Sequence, residues 1–500
     1  MYVVPDFVTE SGVVLPEAKL VYGTAGALNE AGTNAVLVPS HYMADLHDSE
    51  WMIGDGLAID PADYFIVATE LFGNGRSSSP STTPAPFDGP RFPVVTIRDN
   101  VEIVHSLLTR ELGVRHLSAV VGFSMGAMQA FQWAVSHPRF VDRVVADCGT
   151  AKSYPHGNVR LDAQITAIKS DPAFAAGEYS DQPVAGIEAF GMAWAPWLYT
   201  QRWWRDSLWL ELDPDTTYEN VVESFRTEFL PGADANDIIL QCRTWQQHDV
   251  GSSPGFSGDS DAALRSITAE VLYLPSETDL YFPLYDAVRE SDEIAKVTLL
   301  PIPSLWGHPA GSGPNAADAD FVNRAVSSFL RDGTVPGAPS AAVDPESGRT
   351  VATDEPVDEE PVDDDLAGDY LATLAVLFSG LASTSVAVLS DRQRTEIDAL
   401  FESALAAIAV HSIPGLHRYG WDIVFAVVDA SPNRVLVDVA RDGLMSAIRR
   451  FSRTSIAQVA DWDLLTERYS ELRLAIRAGD VARTVDAIQV LYQLPSDAAV

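Results

Sequence analysis

Short apolar runs rich in β-branched residues recur along the first two thirds of the chain, separated by stretches with helical spacing. They occupy 34–40 (NAVLVPS), 63–70 (DYFIVATE), 116–122 (HLSAVVG), 143–149 (RVVADCG), 270–276 (EVLYLPS) and 296–302 (KVTLLPI). Continuous apolar runs of this length suit strands buried on both faces, as in a parallel sheet. Their alternation with helical patterns predicts an α/β layer fold over residues 1–333. Between about 151 and 265 the alternation stops, and a helical stretch carries Trp194, Trp197, Trp203, Trp204, Trp209 and Trp245. An insertion at this point predicts a helical cap over the strand C-termini, where ligands of open α/β sheets bind. Each of these Trp residues taken singly is first a candidate for the core of the cap itself.

Beyond residue 333 the pattern changes twice. Residues 334–366 are rich in Pro, Ala, Asp and Glu without periodicity, which predicts a solvated, extended linker. Residues 367–500 have helical spacing throughout, broken at Gly415, Pro432 and Gly479, and predict a separate all-α domain. Residues 370–390 carry no charge and are long enough to cross a bilayer. Six Ser or Thr residues and Gly380 interrupt them, so the expectation is buried helix in a soluble domain.

The net charge of −37 and a pI near 4.4 exclude binding to phosphate backbones and make anionic membrane surfaces poor partners. The two cysteines, Cys148 and Cys242, show no metal-ligand spacing, and no metal site is expected. With no apolar signal segment at the N-terminus, a reduced, cytoplasmic location is expected.

The chemistry concentrates in Gly122-Phe123-Ser124-Met125-Gly126, a G-x-S-x-G pattern. Its context raises its specificity: the apolar run HLSAVV precedes it and a helical pattern, MGAMQAFQWAVSHP, follows. Strand, sharp turn and helix together would raise the Ser124 hydroxyl over the sheet edge, at a helix N-terminus suited to a developing oxyanion. A nucleophilic serine needs a base, and the base an orienting acid. Among His137, His156, His248 and His308, only His308 sits on a Gly-flanked loop after the last strand run. Asp279 and Glu277, after the preceding run, are the candidates for the acid, with Asp279 preferred. The loop after the 34–40 run offers the backbone N–H of Tyr42, to pair with that of Met125 at the oxyanion. His41 in that loop is the main competing functional histidine.

These residues resemble the homoserine O-acetyltransferase family, a branch of the α/β-hydrolase fold. The likeness spans about 15–330 and rests on VVGFSMGAMQAFQWAVSHP (120–138), FPVVTIRDNV (92–101), DAND (234–237), TDLYFP (278–283) and WGH (306–308). It implies acyl transfer through Ser124, His308 and Asp279, oxyanion N–H groups at Tyr42 and Met125, and acyl-CoA as co-substrate with no bound cofactor. Two features depart from the family. Pro309 follows His308 where the family has Asp, and segment 186–200 (GIEAFGMAWAPWLYT) lacks the family's carboxylate-binding Arg. A zwitterionic amino acid would lose two charge-assisted contacts, each roughly 1.5–3 kcal/mol. The expectation is therefore an acyl-CoA-dependent O-acyltransferase acting on something other than homoserine. An esterase using water as acceptor is the alternative, and a non-catalytic binding scaffold a third. Small-molecule acyl donor and acceptor are the expected partners, with homo-oligomerisation open. The C-terminal region, through 471–492 (ELRLAIRAGDVARTVDAIQVLY), resembles more weakly the helical effector-binding domain of a class of bacterial transcription regulators. Tyr469 stands where a metal-binding histidine of that domain would be expected.

Overall fold

The computed structural model describes residues 1–335, 340–343, 350–353, 378–409, 413–431, 437 and 462–492. Seven strands form the central sheet: β3 (Tyr22–Ala25), β4 (Ala35–Pro39), β5 (Phe65–Thr69), β6 (Leu117–Phe123), β7 (Val141–Asp147), β8 (Glu270–Leu274) and β9 (Val297–Leu299). Their order is β3-β5-β4-β6-β7-β8-β9, all parallel except β3. Every apolar run singled out in the sequence is one of these strands. Before them, β1 (Tyr2–Val8) and β2 (Val14–Leu20) pair as an antiparallel ribbon.

Period-2 alternation divides each strand between two cores. Ala35 and Leu37 of β4, Val120 of β6 and Tyr273 of β8 face one side; Val36, Val38, Val121 and Leu272 face the other. Both faces are apolar because helices cover both. Helices α1 (Ile97–Ser106) and α2 (Met125–Ser136) contribute Val101, Val104, Ala130 and Phe131 to the first core. The cap consists of α3 (Pro155–Lys169), α4 (Val184–Leu198), α5 (Gln201–Arg205), α6 (Tyr218–Thr227) and α7 (Ala235–Gln246). Then α8 (Ser260–Arg265) and α9 (Leu284–Ser291) flank β8, and α10 (Ala316–Asp332) packs Val322, Val326 and Phe329 into the second core.

From β4 the chain moves to β5 on one side, then crosses back to place β6 on the other. The strand order therefore reverses between β4 and β6, and a crevice opens there beyond the strand C-termini. Ser124 follows β6 and Tyr42 follows β4, so the topology alone carries both to this crevice.

Contacts divide the chain into Met1–Glu355 and Pro356–Val500. The boundary falls inside the stretch read as a linker. That stretch differs from the expectation in one respect: Ser340–Val343 pairs with Thr350–Thr353 as an antiparallel ribbon. SAAV and TVAT are uncharged and partly β-branched, so their backbones can pair without a core beneath them. Residues 354–366 lie outside the described residues. The second unit is helical, with α11 (Asp391–Ala409), α12 (Ile413–Asp429), α13 (Trp462–Ala478) and α14 (Val481–Tyr492). Its core joins Phe378, Leu381, Phe401, Val427, Ile476 and Ile488, and Arg473 forks onto the Asp398 carboxylate at 2.7 and 2.8 Å. Tyr469 is packed near the Phe401 ring, centroids 6.2 Å apart. Of 370–390, residues 370–377 are not described, and the remainder supplies buried core positions. Among the described residues no helix is long and apolar enough to cross a membrane.

Candidate active site

Ser124 joins β6 to α2 with φ 57° and ψ −121°, a conformation an L-residue adopts only when the surroundings impose it. The packing imposes it here. A Cβ at Gly122 would stand 2.1 Å from the Gly126 carbonyl oxygen, and one at Gly149 would stand 2.5 Å from that of Ser124. Strand and helix approach so closely only because these positions lack side chains.

The structure brings the three distant residues together. His308 Nε2 lies 2.9 Å from Ser124 Oγ, and His308 Nδ1 lies 2.7 Å from Asp279 Oδ2. Asp279 Oδ1 accepts from the backbone N–H of Tyr281 (2.7 Å) and Phe282 (3.2 Å), which fixes the carboxylate. With its proton on Nδ1 toward Asp279, the imidazole presents a lone pair at Nε2 to the serine. Phe123 and Tyr281 pack on the His308 ring, centroids 4.8 Å away. All three residues are buried. Glu277 is half-buried, and among the described residues the His308 ring pairs with Asp279 and Ser124 instead. His248 is buried away from this relay, where burial pushes its pKa down to about 4. His156 stacks edge-on against Trp197, and His137 caps the far end of α2.

Among the described residues the backbone N–H groups of Tyr42 and Met125 donate to no acceptor. The loop that carries Tyr42 is pinned from the cap and from α2. The Met43 N–H donates to Gln241 Oε1 at 2.6 Å, the Tyr42 hydroxyl donates to the Ile238 carbonyl at 3.2 Å, and Gln129 Nε2 donates to the Ser40 carbonyl at 3.0 Å. Helix α7, which opens with the DAND segment, is thus a buttress for the loop. His41 edges onto Phe123 at 5.0 Å; burial and the neighbouring His308 push its pKa down to about 3, so it stays neutral.

A cavity of about 770 Å³ opens above Ser124 and His308. Trp194 and Trp245 line it with Tyr42, Tyr199, Phe225 and Tyr281. Of the six cap tryptophans, these two face the cavity, while Trp203 and Trp209 belong to the core. Among the described residues, the charged side chains in its wall are the carboxylates of Asp48 and Glu228. Pro309 also lines it, beside His308.

Two buried groups were not anticipated from the sequence. Arg160 on α3 is 2% exposed and forms no ion pair among the described residues; its guanidinium lies 3.9 Å from the Tyr281 ring centroid, 4.7 Å from that of Trp245 and 5.6 Å from that of Trp194. Three aromatic faces stand in for a counter-ion, and burial lowers its pKa. It therefore braces the cavity wall from behind. Asp147, at the end of β7, is also buried; desolvation, together with the charge of Asp279, raises its carboxyl well above the usual range. Both residues look like ordinary helix and strand positions in the sequence, and only the fold puts them beside the site.

A mostly parallel sheet, a serine on a strained strand–helix turn and a hydrogen-bonded histidine and aspartate are the arrangement of the α/β-hydrolase class. The family described as alpha/beta hydrolase fold matches residues 41–313, more than half the chain, and the protein belongs to it. It is similar to an ethyl acetate hydrolase from Pseudomonas veronii, 34% identical over 324 residues, covering 64% of this chain and 92% of the relative. A homoserine O-acetyltransferase from Thermobifida fusca is 32% identical over 314 residues, 57% of this chain and 82% of that one. The solved acetyl esterase MekB superposes with a TM-score of 0.64 at 33% identity, covering 66% of this chain and 95% of its own. The chain is an enzyme of the acyltransferase and ester hydrolase kind.

Proposed function

We propose that the enzyme hydrolyses small, neutral carboxylic esters through an acyl-enzyme on Ser124, with Asp279 and His308 completing the triad. The observation that carries this reading is the cavity wall: aromatic surface, two carboxylates and no Lys or Arg. An amino-acid acceptor finds no counter-charge for its carboxylate there, and the phosphates of an acyl-CoA meet like charge. An acetyl ester of a simple alcohol needs neither. The similarity to an ethyl acetate hydrolase and an acetyl esterase supports the same reading.

In the reaction, Ser124 Oγ bonds to the ester carbonyl carbon as its proton passes to His308 Nε2. The carbonyl oxygen becomes an oxyanion and takes the N–H groups of Tyr42 and Met125. Collapse breaks the bond to the alkoxy oxygen, and the alcohol leaves with the proton from His308. Water then repeats the sequence on the acyl-enzyme, releasing the acid and restoring Ser124. No bound cofactor is required.

The second reading is transfer from acyl-CoA to an alcohol, favoured by the similarity to homoserine O-acetyltransferases. The two are separated by following ethyl acetate hydrolysis alongside CoA release from acetyl-CoA, with and without alcohols. Ester turnover with water as acceptor, and little CoA release, is the expected result. CoA release that depends on an added alcohol overturns it in favour of transfer.

A further inference from the structure

The cavity above Ser124 carries an electrostatic feature that a neutral ester leaves unused. Its volume of about 770 Å³ suits a drug-sized ligand, so an ester as small as ethyl acetate leaves part of it empty. Helix α6 ends against this space. Phe225, Glu228 and Phe229, spaced three and four apart, share one face at its C-terminal end, and all three line the cavity. Tyr199 stands beside them, its ring 6.0 Å from that of Phe225. Burial, and after it the Glu228 charge, raise the pKa of the Tyr199 hydroxyl to about 12. Glu228 and Asp48 are exposed, so they mark the solvent side of the wall.

The position of Glu228 is unfavourable for a carboxylate and favourable for a guest cation. A helix C-terminus carries partial negative charge and favours cations. Glu228 caps α6 there, and among the described residues it forms no ion pair and no hydrogen bond. Arg226, the basic residue of the same turn, is engaged by Glu223 at 3.2 Å. Asp48 adds a second carboxylate to the wall. The rings beside Glu228 suit an alkylammonium group, which the negative face of an aromatic ring attracts. The rings of Tyr281 and Trp245 do not, because the Arg160 guanidinium already lies against them. The cavity is therefore polarised, with a buried cation behind its inner rings and carboxylates on its solvent side.

We propose that the site prefers esters whose alcohol carries a quaternary or protonated amine, with the cation held by Tyr199, Phe225 and the Glu228 carboxylate. The inference rests on the ester-hydrolase reading above and extends it from neutral to cationic alcohols. The acyl half stays neutral and enters beside Ser124. The bonds and protons that move are unchanged: Ser124 takes the acyl group, and the amino alcohol leaves with the proton from His308, its ammonium untouched. The net charge of −37 draws such a cation toward the protein, and the wall around Glu228 decides where it stays.

The test uses the full chain with acetylcholine and its uncharged isostere, 3,3-dimethylbutyl acetate. kcat/KM is measured for each at pH 7.5 and divided by the rate of that ester with hydroxide, which removes the difference in leaving group. The expected result is a normalised preference of about tenfold for the cationic ester at low salt, shrinking at about 0.5 M sodium chloride. Glu228→Gln keeps the size of the side chain and removes its charge, and should reduce the preference by about threefold or more. Turnover of the isostere by the variant reports that it is folded. Equal normalised rates in the wild type overturn the proposal and leave the ester reading intact, because the isostere is still hydrolysed. A preference unchanged in Glu228→Gln also overturns it, since the overall negative charge then accounts for the effect. Hydrolysis of neither ester, with transfer from acetyl-CoA instead, overturns the ester reading and this inference with it.

Discussion

Glu290→Gln tests whether burial of one carboxyl makes this enzyme lose stability as pH rises. Glu290 on α9 is completely buried behind β8. Its Oε2 accepts from the Ala151 N–H at 2.9 Å and the Tyr273 hydroxyl at 2.8 Å, and its Oε1 from the Tyr154 hydroxyl at 3.1 Å. These bonds favour the charged form, but desolvation outweighs them and pushes the pKa up from 4.5 to about 7. A carboxyl whose folded pKa is raised holds its proton more tightly in the native state. Its contribution is therefore fully present below pH 4.5 and is lost as pH rises to about 7. A shift of that size corresponds to about 3 kcal/mol. Glutamine cannot ionise, and it can keep the geometry: its oxygen accepts from Ala151 and Tyr273 while its amide donates to the Tyr154 oxygen. The variant should match the wild type near pH 4.5 and exceed it by about 3 kcal/mol at pH 8. At about 2.1 cal/mol/K per residue, the 355-residue unit has an unfolding entropy near 0.7 kcal/mol/K, so the gain is about 4 °C in Tm. Tryptophan fluorescence in urea or heat reports this unit, because nine of the eleven tryptophans precede residue 334. Parallel pH profiles for the two proteins, or a variant that loses more stability at pH 8 than at pH 5, would refute the argument.

Three further outcomes are expected. Ser124→Ala abolishes ester turnover, and Asp279→Asn lowers kcat by about 10⁴ with KM little changed, since it leaves His308 in the wrong tautomer; steady-state kinetics on ethyl acetate and p-nitrophenyl acetate check both. Gly149→Ala drives a Cβ to 2.5 Å from the Ser124 carbonyl oxygen and 2.6 Å from the Ala127 Cβ. It should cost about 1–3 kcal/mol in denaturant unfolding and reduce kcat by displacing the elbow, and unchanged values of both would show that the turn is not packed as described. Truncation after Gly333 should leave kcat/KM for neutral esters within about twofold, because the relay, the oxyanion loop and the cavity wall all precede that residue. A folded fragment without activity would show that the helical unit completes the site.

The parts of this enzyme that were legible in the sequence are those governed by local pattern. Continuous apolar runs marked β4 to β9 because a strand covered on both faces has no polar positions to spare. β1 to β3 were not singled out: residues such as Glu17 and Lys19 sit among their apolar positions, because these strands lie at the margin and stay partly exposed. Ser124 was legible because a strained turn needs small neighbours on both sides, and those neighbours are adjacent in sequence. His308 and Asp279 followed from the need for a base and an acid after later strands, with Asp279 preferred to Glu277; the fold places Asp279 Oδ2 2.7 Å from His308 Nδ1.

What the tertiary structure alone decided are the properties that depend on which side chains share a volume. It set the cavity wall, where Asp48 and Glu228 are the charged side chains among the described lining residues. It put Arg160 behind three aromatic rings. Hydrophobic period and turn chemistry act over a few residues and leave a record in the order of the chain. Desolvation and cation–π contact act through space, between residues whose separation along the chain carries no trace of their meeting.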